Sequence, residues 1–458
     1  MNTLVKNLRD MFADRDYLKR LGKLALPMAL ASIMSSSLQI IDTLMIATLG
    51  DTSVAAVGLA NRLTYLYSFF IAGFSSGASV FSAQFWGDKN PDGLKRTLSL
   101  SLMLLMPFAV LFCLLAMVAP QWFMAIFSAD PSVIGEGCQY LRLIGPAMLF
   151  QSVAALLAAM LKATERPNIA VTAAAAGVVS NVFLNYIMIF GKLGLPAMGV
   201  EGAALATLLS AALEMIVLIV LAQAKKAPVT IGRDSFAMPS RKFTGQYLKI
   251  SIPVLINDVG WALGIVAMTW VYSTMGTAAA AAASVYETIK GFLVVCCIAV
   301  GSSGGILLGI ELGAGRMEKA QTYATRMLIG GIIVALAIIP IMFLILDPLM
   351  GLYAEMSEEA ITNLRSMLIT LTVLFWVKMT SYNLINGIMR AGGDTRASAI
   401  IDIVTNCGIA LPLVFLTGYV LKWPLVYVFP FTFAADITAV ISAYIRYRKG
   451  KWRQQLTD

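Results

Sequence analysis

The sequence contains no histidine. Imidazole is the one side chain whose unperturbed pKa lies near neutrality, so its absence leaves carboxylates as the obvious proton-handling groups. Charge of either sign is scarce too. Only 13% of the residues are Asp, Glu, Lys or Arg, against about 25% in soluble domains. The five cysteines (Cys113, Cys138, Cys296, Cys297 and Cys407) show no ligand spacing and lie mostly in apolar stretches, so neither a zinc site nor a disulfide framework is expected. No G-x-x-x-x-G-K-[ST] phosphate loop occurs and no polar domain is present to carry one, which argues against ATP hydrolysis.

What the chain does have is apolar length. It is 59% hydrophobic, with a mean hydropathy of +0.80. Apolar segments of about 20 residues or more recur along nearly all of it, as spanning helices require. A membrane barrel would show short alternating segments instead. The reading is an all-α membrane protein with twelve transmembrane helices, near 22–49, 54–85, 93–119, 133–161, 168–191, 201–224, 246–274, 278–312, 318–346, 359–389, 396–420 and 424–446.

The formal net charge is +9, and 27 of the 34 Lys and Arg residues fall in the two terminal regions and in alternate loops. Basic residues concentrate on the cytoplasmic side, which predicts both termini in the cytoplasm of a multi-pass protein of the cell (plasma or inner) membrane. The charge is thus a topology signal, and no nucleic-acid partner is expected. Met1 to Arg20 reads as a charged amphipathic lead-in, with the first helix as an uncleaved insertion signal.

The longest polar interruption, Lys225 to Thr244, falls at mid-chain. It divides the chain into an N-terminal lobe (1–224), a cytoplasmic linker (225–245) and a C-terminal lobe (246–458). The halves repeat. A shift of 226 places Lys23, Pro27, Thr43, Thr48, Gly50, Ala55 and Ala56 on Lys249, Pro253, Thr269, Thr274, Gly276, Ala281 and Ala282. Gln84 and Gly87 parallel Glu311 and the Gly313-Ala-Gly315 turn. Six helices per half keep both lobes in one orientation, a parallel repeat about an axis along the membrane normal.

Polar groups inside the apolar segments carry the functional reading. Asp42 stands in an otherwise uncharged stretch from Leu24 to Thr48. A carboxylate at membrane depth costs roughly 2.5–3.5 kcal/mol on insertion scales, so a chain that keeps one has a use for it: a proton, a cation, or helix packing as a protonated acid. Asn181 and Asn185 are spaced i,i+4 and share one helix face. Their amides suit Na⁺ ligation beside Asp42, exchange of hydrogen bonds with the acid, or plain interhelical bonding.

In the second half Glu287 and Lys290 are i,i+3 and within pairing reach, which favours a structural ion pair. Asp258 and Asp402 read as lone acids with Lys378 as a partner for one of them. Together these five are the candidates for a C-lobe cation or substrate site. Glu214 and Asp436 are weaker candidates. Trp261, Trp270, Tyr286 and Phe375 suit either stacking on a cationic ligand or helix packing.

Pro27, Asp42 and Gly50, Gln84-Phe-Trp-Gly87, Asn181-x3-Asn185-x5-Gly191-Lys-Leu-Gly-x-Pro196, Gly199-Val-Glu-Gly-Ala-Ala-x-Ala-Thr207, Gly313-Ala-Gly315 and Arg390-Ala-Gly-Gly-Asp-Thr395 resemble the multidrug and toxic compound extrusion (MATE) family, across essentially the whole chain. The resemblance implies a V-shaped pair of pseudo-symmetric six-helix lobes around a central cavity. It also implies export of organic, often cationic, amphiphiles in exchange for H⁺ or Na⁺. The family's N-lobe cation site maps onto Asp42, Asn181 and Asn185, with Thr207 beside them. The C-lobe acids of another branch do not map intact, because Lys378 and Met379 stand where helix ten would carry its acid. The expectation is a monomeric secondary-active antiporter, without enzymatic activity or cofactor, that meets small organic substrates and the lipid bilayer. The alternative is a flippase or exporter of a lipid-linked saccharide or other amphiphile.

Overall fold

The computed structural model describes residues 14–232, 240–353 and 356–457. Most of the N-terminal lead-in (1–13) and Arg233, Asp234 and Pro239 of the linker lie outside the described residues. Every regular element among the described residues is helical. The membrane-length helices are α1 (Arg15–Ala47), α2 (Asp51–Gly87), α3 (Pro91–Val118), α4 (Pro131–Ile144 with Ala147–Ala163), α5 (Pro167–Phe190), α6 (Gly199–Ala224), α7 (Arg241–Thr274), α8 (Thr277–Gly313), α9 (Met317–Gly351), α10 (Glu358–Met389), α11 (Thr395–Val420) and α12 (Leu425–Arg448). Eleven qualify as single helices by length and apolarity; α4 makes a twelfth as one span bent by 48°. Its break falls at Gly145-Pro146, the residue types that kink helices. All-helical spans follow from the solvent, because lipid offers no partner to a backbone N–H or C=O.

Local chemistry sets the ends. Asn90 Oδ1 accepts from the Gly93 N–H at 2.8 Å to open α3, with Pro91 in the first turn. Asp130 and Ser357 cap α4 and α10 likewise. Gly191 closes α5 at φ +65°, where a Cβ would lie 2.5 Å from the Ala197 nitrogen, so the turn admits only glycine. At Gly202 a Cβ would lie 2.7 Å from the Met188 carbonyl carbon. The missing side chain lets α6 approach the α5 backbone.

The chain forms two compact units, and they do not divide at the linker. One is Pro27–Ser251; the other joins the described parts of Met1–Leu26 and Ile252–Asp458. Helix α1 therefore changes unit at Pro27, and α7 changes at Ser251. Side chains at the two helix starts explain the exchange. Tyr17 and Leu24 are buried, and the Tyr17 ring lies 4.7 Å from that of Tyr323 on α9. Arg20 reaches Glu311, a carboxylate with no exposed surface, which also receives Arg316 Nε at 2.5 Å and Lys319 Nζ at 3.3 Å. In the other unit the Tyr247 hydroxyl of α7 donates to the Phe74 carbonyl at 2.7 Å, and its ring stacks on Phe81. Each repeat thus lends the start of its first helix to the unit that holds the other. The Pro27–Ser251 core centres on Tyr67, Leu141, Met148 and Ala204. Among the described residues the other unit has a core around Leu364, Phe375 and Phe429 and another around Leu308, Met327 and Trp452.

Candidate functional site

Asp42, Asn181, Asn185 and Thr207 come together within the Pro27–Ser251 unit. Asp42 is half-buried on α1, and Asn185 Nδ2 donates to its Oδ1 at 2.7 Å. The same Nδ2 donates to Asn181 Oδ1 at 2.8 Å, one turn back on α5. Asn181 Nδ2 in turn donates to Ser210 Oγ at 3.2 Å and Thr207 Oγ1 at 3.4 Å on α6.

The direction of this chain is fixed at its far end. The Thr207 hydroxyl donates to the Ala203 carbonyl at 3.0 Å, and Ser210 donates to the Thr207 carbonyl at 3.0 Å. With their protons committed, both hydroxyls are left as acceptors. They take the Asn181 amide hydrogens, which turns Asn181 Oδ1 toward Asn185. That oxygen draws Asn185 Nδ2, and so Asp42 faces a donor. Asn185 is 1% exposed, and its Oδ1 is buried with no hydrogen-bond partner. A buried orphan acceptor costs about 1–3 kcal/mol, and a cation or the proton of a neutral acid would relieve it.

Ser210 was not legible as a member, although it follows Thr207 by one turn (i,i+3). Tyr140 was missed as well. Its hydroxyl donates to Asn61 Oδ1 at 3.3 Å, and the Asp42 charge acts on it.

The second-half candidates separate into pairs. Glu287 and Lys290 form the expected bridge at 2.5 Å, with the ammonium 5.5 Å from the centre of the Tyr286 ring. Asp258 is not a lone acid, and Lys378 is not its partner. Arg390 Nη2 meets Asp258 Oδ1 at 2.8 Å, while Lys378 Nζ meets Asp436 Oδ2 at 3.0 Å. Arg390, read from sequence as a loop cation, stands at the end of α10, and its long side chain carries the guanidinium to α7. Asp402 accepts from Asn406 Nδ2 at 2.9 Å, and the Asn257 amide acts on it from α7. Glu214 packs against α5, where a Cβ at Gly177 would lie 3.0 Å from Oε2, and the Lys162 charge acts on it. Tyr286 and Phe375 are core residues, whereas Trp261 and Trp270 are exposed. Among the described residues no three His, Cys, Asp or Glu side chains gather as a metal site. The cluster at Asp42 offers a single carboxylate with the Asn181 and Asn185 amides beside it.

The model of the MatE family matches residues 27–187 and 253–416, one stretch per repeat, each beginning at the repeat's proline. The chain is 24% identical over 419 residues to an uncharacterized transporter, YisQ, of Bacillus subtilis, with 90% of each chain covered. It is 26% identical over 417 residues to a probable multidrug resistance protein, NorM, of Burkholderia pseudomallei, covering 87% of this chain and 84% of that one. Among solved structures it is similar to a multidrug resistance MATE family transporter of the MOP superfamily in an outward-facing conformation (TM-score 0.85, 20% identity, 94% and 95% covered). A MOP superfamily transporter from Pyrococcus furiosus gives a TM-score of 0.84 at 21% identity, with 94% of this chain and 95% of that one covered. At such identities the likeness is one of fold.

Proposed function

The chain belongs to the MatE family of membrane transporters, and from that premise we propose that it is a secondary-active antiporter exporting small organic compounds, cationic or amphiphilic, in exchange for H⁺ or Na⁺. The observation that carries the proposal is the directed chain from Thr207 and Ser210 through Asn181 and Asn185 to Asp42, with Asn185 Oδ1 left buried and unpaired. A monovalent cation beside Asp42 would pair with the carboxylate and engage that oxygen. When the ion leaves, Asp42 keeps the Asn185 hydrogen bond.

Pro27 supplies the coupling element. It cannot donate a backbone hydrogen bond and so permits α1 to bend, and it stands where α1 passes from one unit to the other. Binding at Asp42 would favour one bend and release the other. An ion shifts that equilibrium only through differential affinity for the two states. We further propose that the protein works as a monomer in the cell membrane, with both termini and the 225–245 linker in the cytoplasm and with lobes at 1–224 and 246–458.

The test is transport by the purified protein in liposomes, with pH and Na⁺ gradients imposed separately. Accumulation of a fluorescent organic cation driven by one gradient, with the opposite ion flux, supports antiport. Movement of a lipid-linked saccharide with vesicle pH and Na⁺ unchanged would establish the flippase instead.

A further inference from the structure

The acids at membrane depth in the unit containing Ile252–Asp458 are of two kinds. Asp258, Glu287 and Asp436 each have a cationic nitrogen within 3.0 Å. Asp402, on α11, makes no salt bridge among the described residues. What it has instead is amides. Asn406 Nδ2 donates to Asp402 Oδ1 and to the Asp402 carbonyl, both at 2.9 Å. Asn257 of α7, a helix that meets α11 where Cys407 Sγ approaches the Gly260 carbonyl, places its amide beside the same carboxylate and acts on it. Asn257 is 2% exposed, and its Oδ1 is buried without a hydrogen-bond partner.

We propose that Asp402 and Asn257 form a second site for a monovalent cation, H⁺ or Na⁺, with Asn406 as the positioning residue. A carboxylate with an unengaged amide oxygen beside it is the donor set of a hard cation. A proton on Asp402 would serve the same oxygen as an O–H donor.

The charges around the site have room for one more. Arg390 bonds Asp258 at 2.8 Å and acts on Asp402 across the cluster. Two carboxylates facing one guanidinium leave one negative charge over. The more distant groups acting on Asp402 are Lys378 and Asp436, which neutralise each other at 3.0 Å, and the neighbouring Cys407 feels its charge.

Backbone irregularity marks the same place. A π-helical stretch, Asn383–Met389, immediately precedes Arg390, and another, Asn406–Ala410, begins at Asn406. Such stretches widen the helix, re-aim the side chains that follow and recur at functional sites.

The arrangement parallels Asp42, beside which Asn185 likewise keeps a buried, unpaired oxygen. It is no copy by internal symmetry, since the repeat places Met268 opposite Asp42. Cation binding at Asp402 stands apart from the proposed antiport, whereas its role in coupling rests on that reading.

Infrared difference spectra of the purified protein test binding without transport. Between acid and alkaline pH, and on adding NaCl in place of choline chloride, the carboxylic-acid carbonyl bands that the wild type loses should include one from Asp42 and one from Asp402. Asp42→Asn should remove one and Asp402→Asn the other, with Asp402→Glu shifting that second band in frequency. Asn257→Ala should keep the Asp402 band and move its H⁺ or Na⁺ midpoint by roughly tenfold, the effect of removing one polar partner from a charged group. Even where Asp402→Asn does not fold, the Asn257→Ala midpoint decides the matter. A folded Asp402→Asn protein with the full wild-type spectrum, or an Asn257→Ala protein with an unmoved midpoint, overturns the site and leaves antiport at Asp42 standing. Export driven by neither ion in the wild type would instead remove the antiport reading and leave the Asp402 bands to speak for binding.

Discussion

Asn185 gives its amide nitrogen to Asp42 at 2.7 Å while its own oxygen stays buried without a donor. In the proposed antiport one amide thereby serves the empty carboxylate and keeps a ligand in reserve for the ion. Asp42→Asn has nearly the same shape but neither charge nor exchangeable acid proton. It should fold, bind substrate within a few-fold of wild type and lose accumulation driven by H⁺ or Na⁺. Concentrative export by this variant under either gradient would end the assignment of Asp42.

The α6 hydroxyls connect to Asp42 through Asn181 and Asn185. Thr207→Val with Ser210→Ala removes both acceptors that orient Asn181. A loss of about 1 kcal/mol corresponds to a shift of roughly threefold to tenfold in the ion concentration for half-maximal transport. Expression should hold. Ion-dependence curves for the double variant and wild type that superimpose would show that the chain's direction does not matter.

Glu287→Gln alone should destabilise the protein more than Glu287→Gln combined with Lys290→Met. The single change strands the Lys290 ammonium, whereas the double change strands no charge. The effect should be smaller than the about 3–5 kcal/mol typical of a buried pair, because the Glu287 side chain is 38% exposed and solvent screens it. Thermal unfolding in detergent measures the order. A double variant that is stable but more impaired in transport than the single one would make the pair functional.

Asp14 links the start of α1 to acid stability. The Tyr17 N–H donates to Asp14 Oδ1 at 3.0 Å, and this hydrogen bond, aided by Arg326 and opposed by partial burial, holds the carboxyl below its usual value. A lowered folded-state pKa means the stabilisation is full above the unfolded value of about 3.9 and is lost as pH falls through the folded one. Hydrogen exchange at the Tyr17–Leu24 amides should therefore accelerate at acid pH in the wild type. In Asp14→Ala it should already be fast at neutral pH, once intrinsic exchange rates are divided out. A wild-type profile free of this acid step would remove Asp14 from the account.

Cysteines introduced at Asp51, Asp130, Lys192, Glu358 and Lys422 should react with a membrane-impermeant reagent from outside intact cells, because most of the basic charge lies in the alternate loops. Labelling of most of them only after lysis would reverse the topology.

The sequence revealed what depends on one helix at a time. Twelve apolar runs, a lone acid in the first of them and two amides one turn apart are all local patterns, and the structure joins the last two into one network. Choices between helices were not local. Lys378 has several acids on neighbouring helices and takes Asp436, while Asp258 takes Arg390, counted from sequence as a loop cation. Nothing in spacing decides such a competition, since it turns on which helix faces press together. The exchange of helix starts was hidden for the same reason. Tyr17 and Tyr247 look like ordinary interfacial aromatics until Tyr323, and Phe81 with Phe74, are seen beside them.

That exchange imposes an order on biosynthesis. Arg20 is made 291 residues before Glu311, an interval of roughly 15–60 s at ordinary rates of translation. Through that time the first turns of α1 lack the α8 and α9 side chains, Glu311 and Tyr323, that meet Arg20 and Tyr17 in the finished fold. A ribosome that stalls after residue 224 leaves a half-protein that has inserted its helices yet lacks the closing segment of α7. The two halves expressed as separate chains should reach the folded state only when synthesised together.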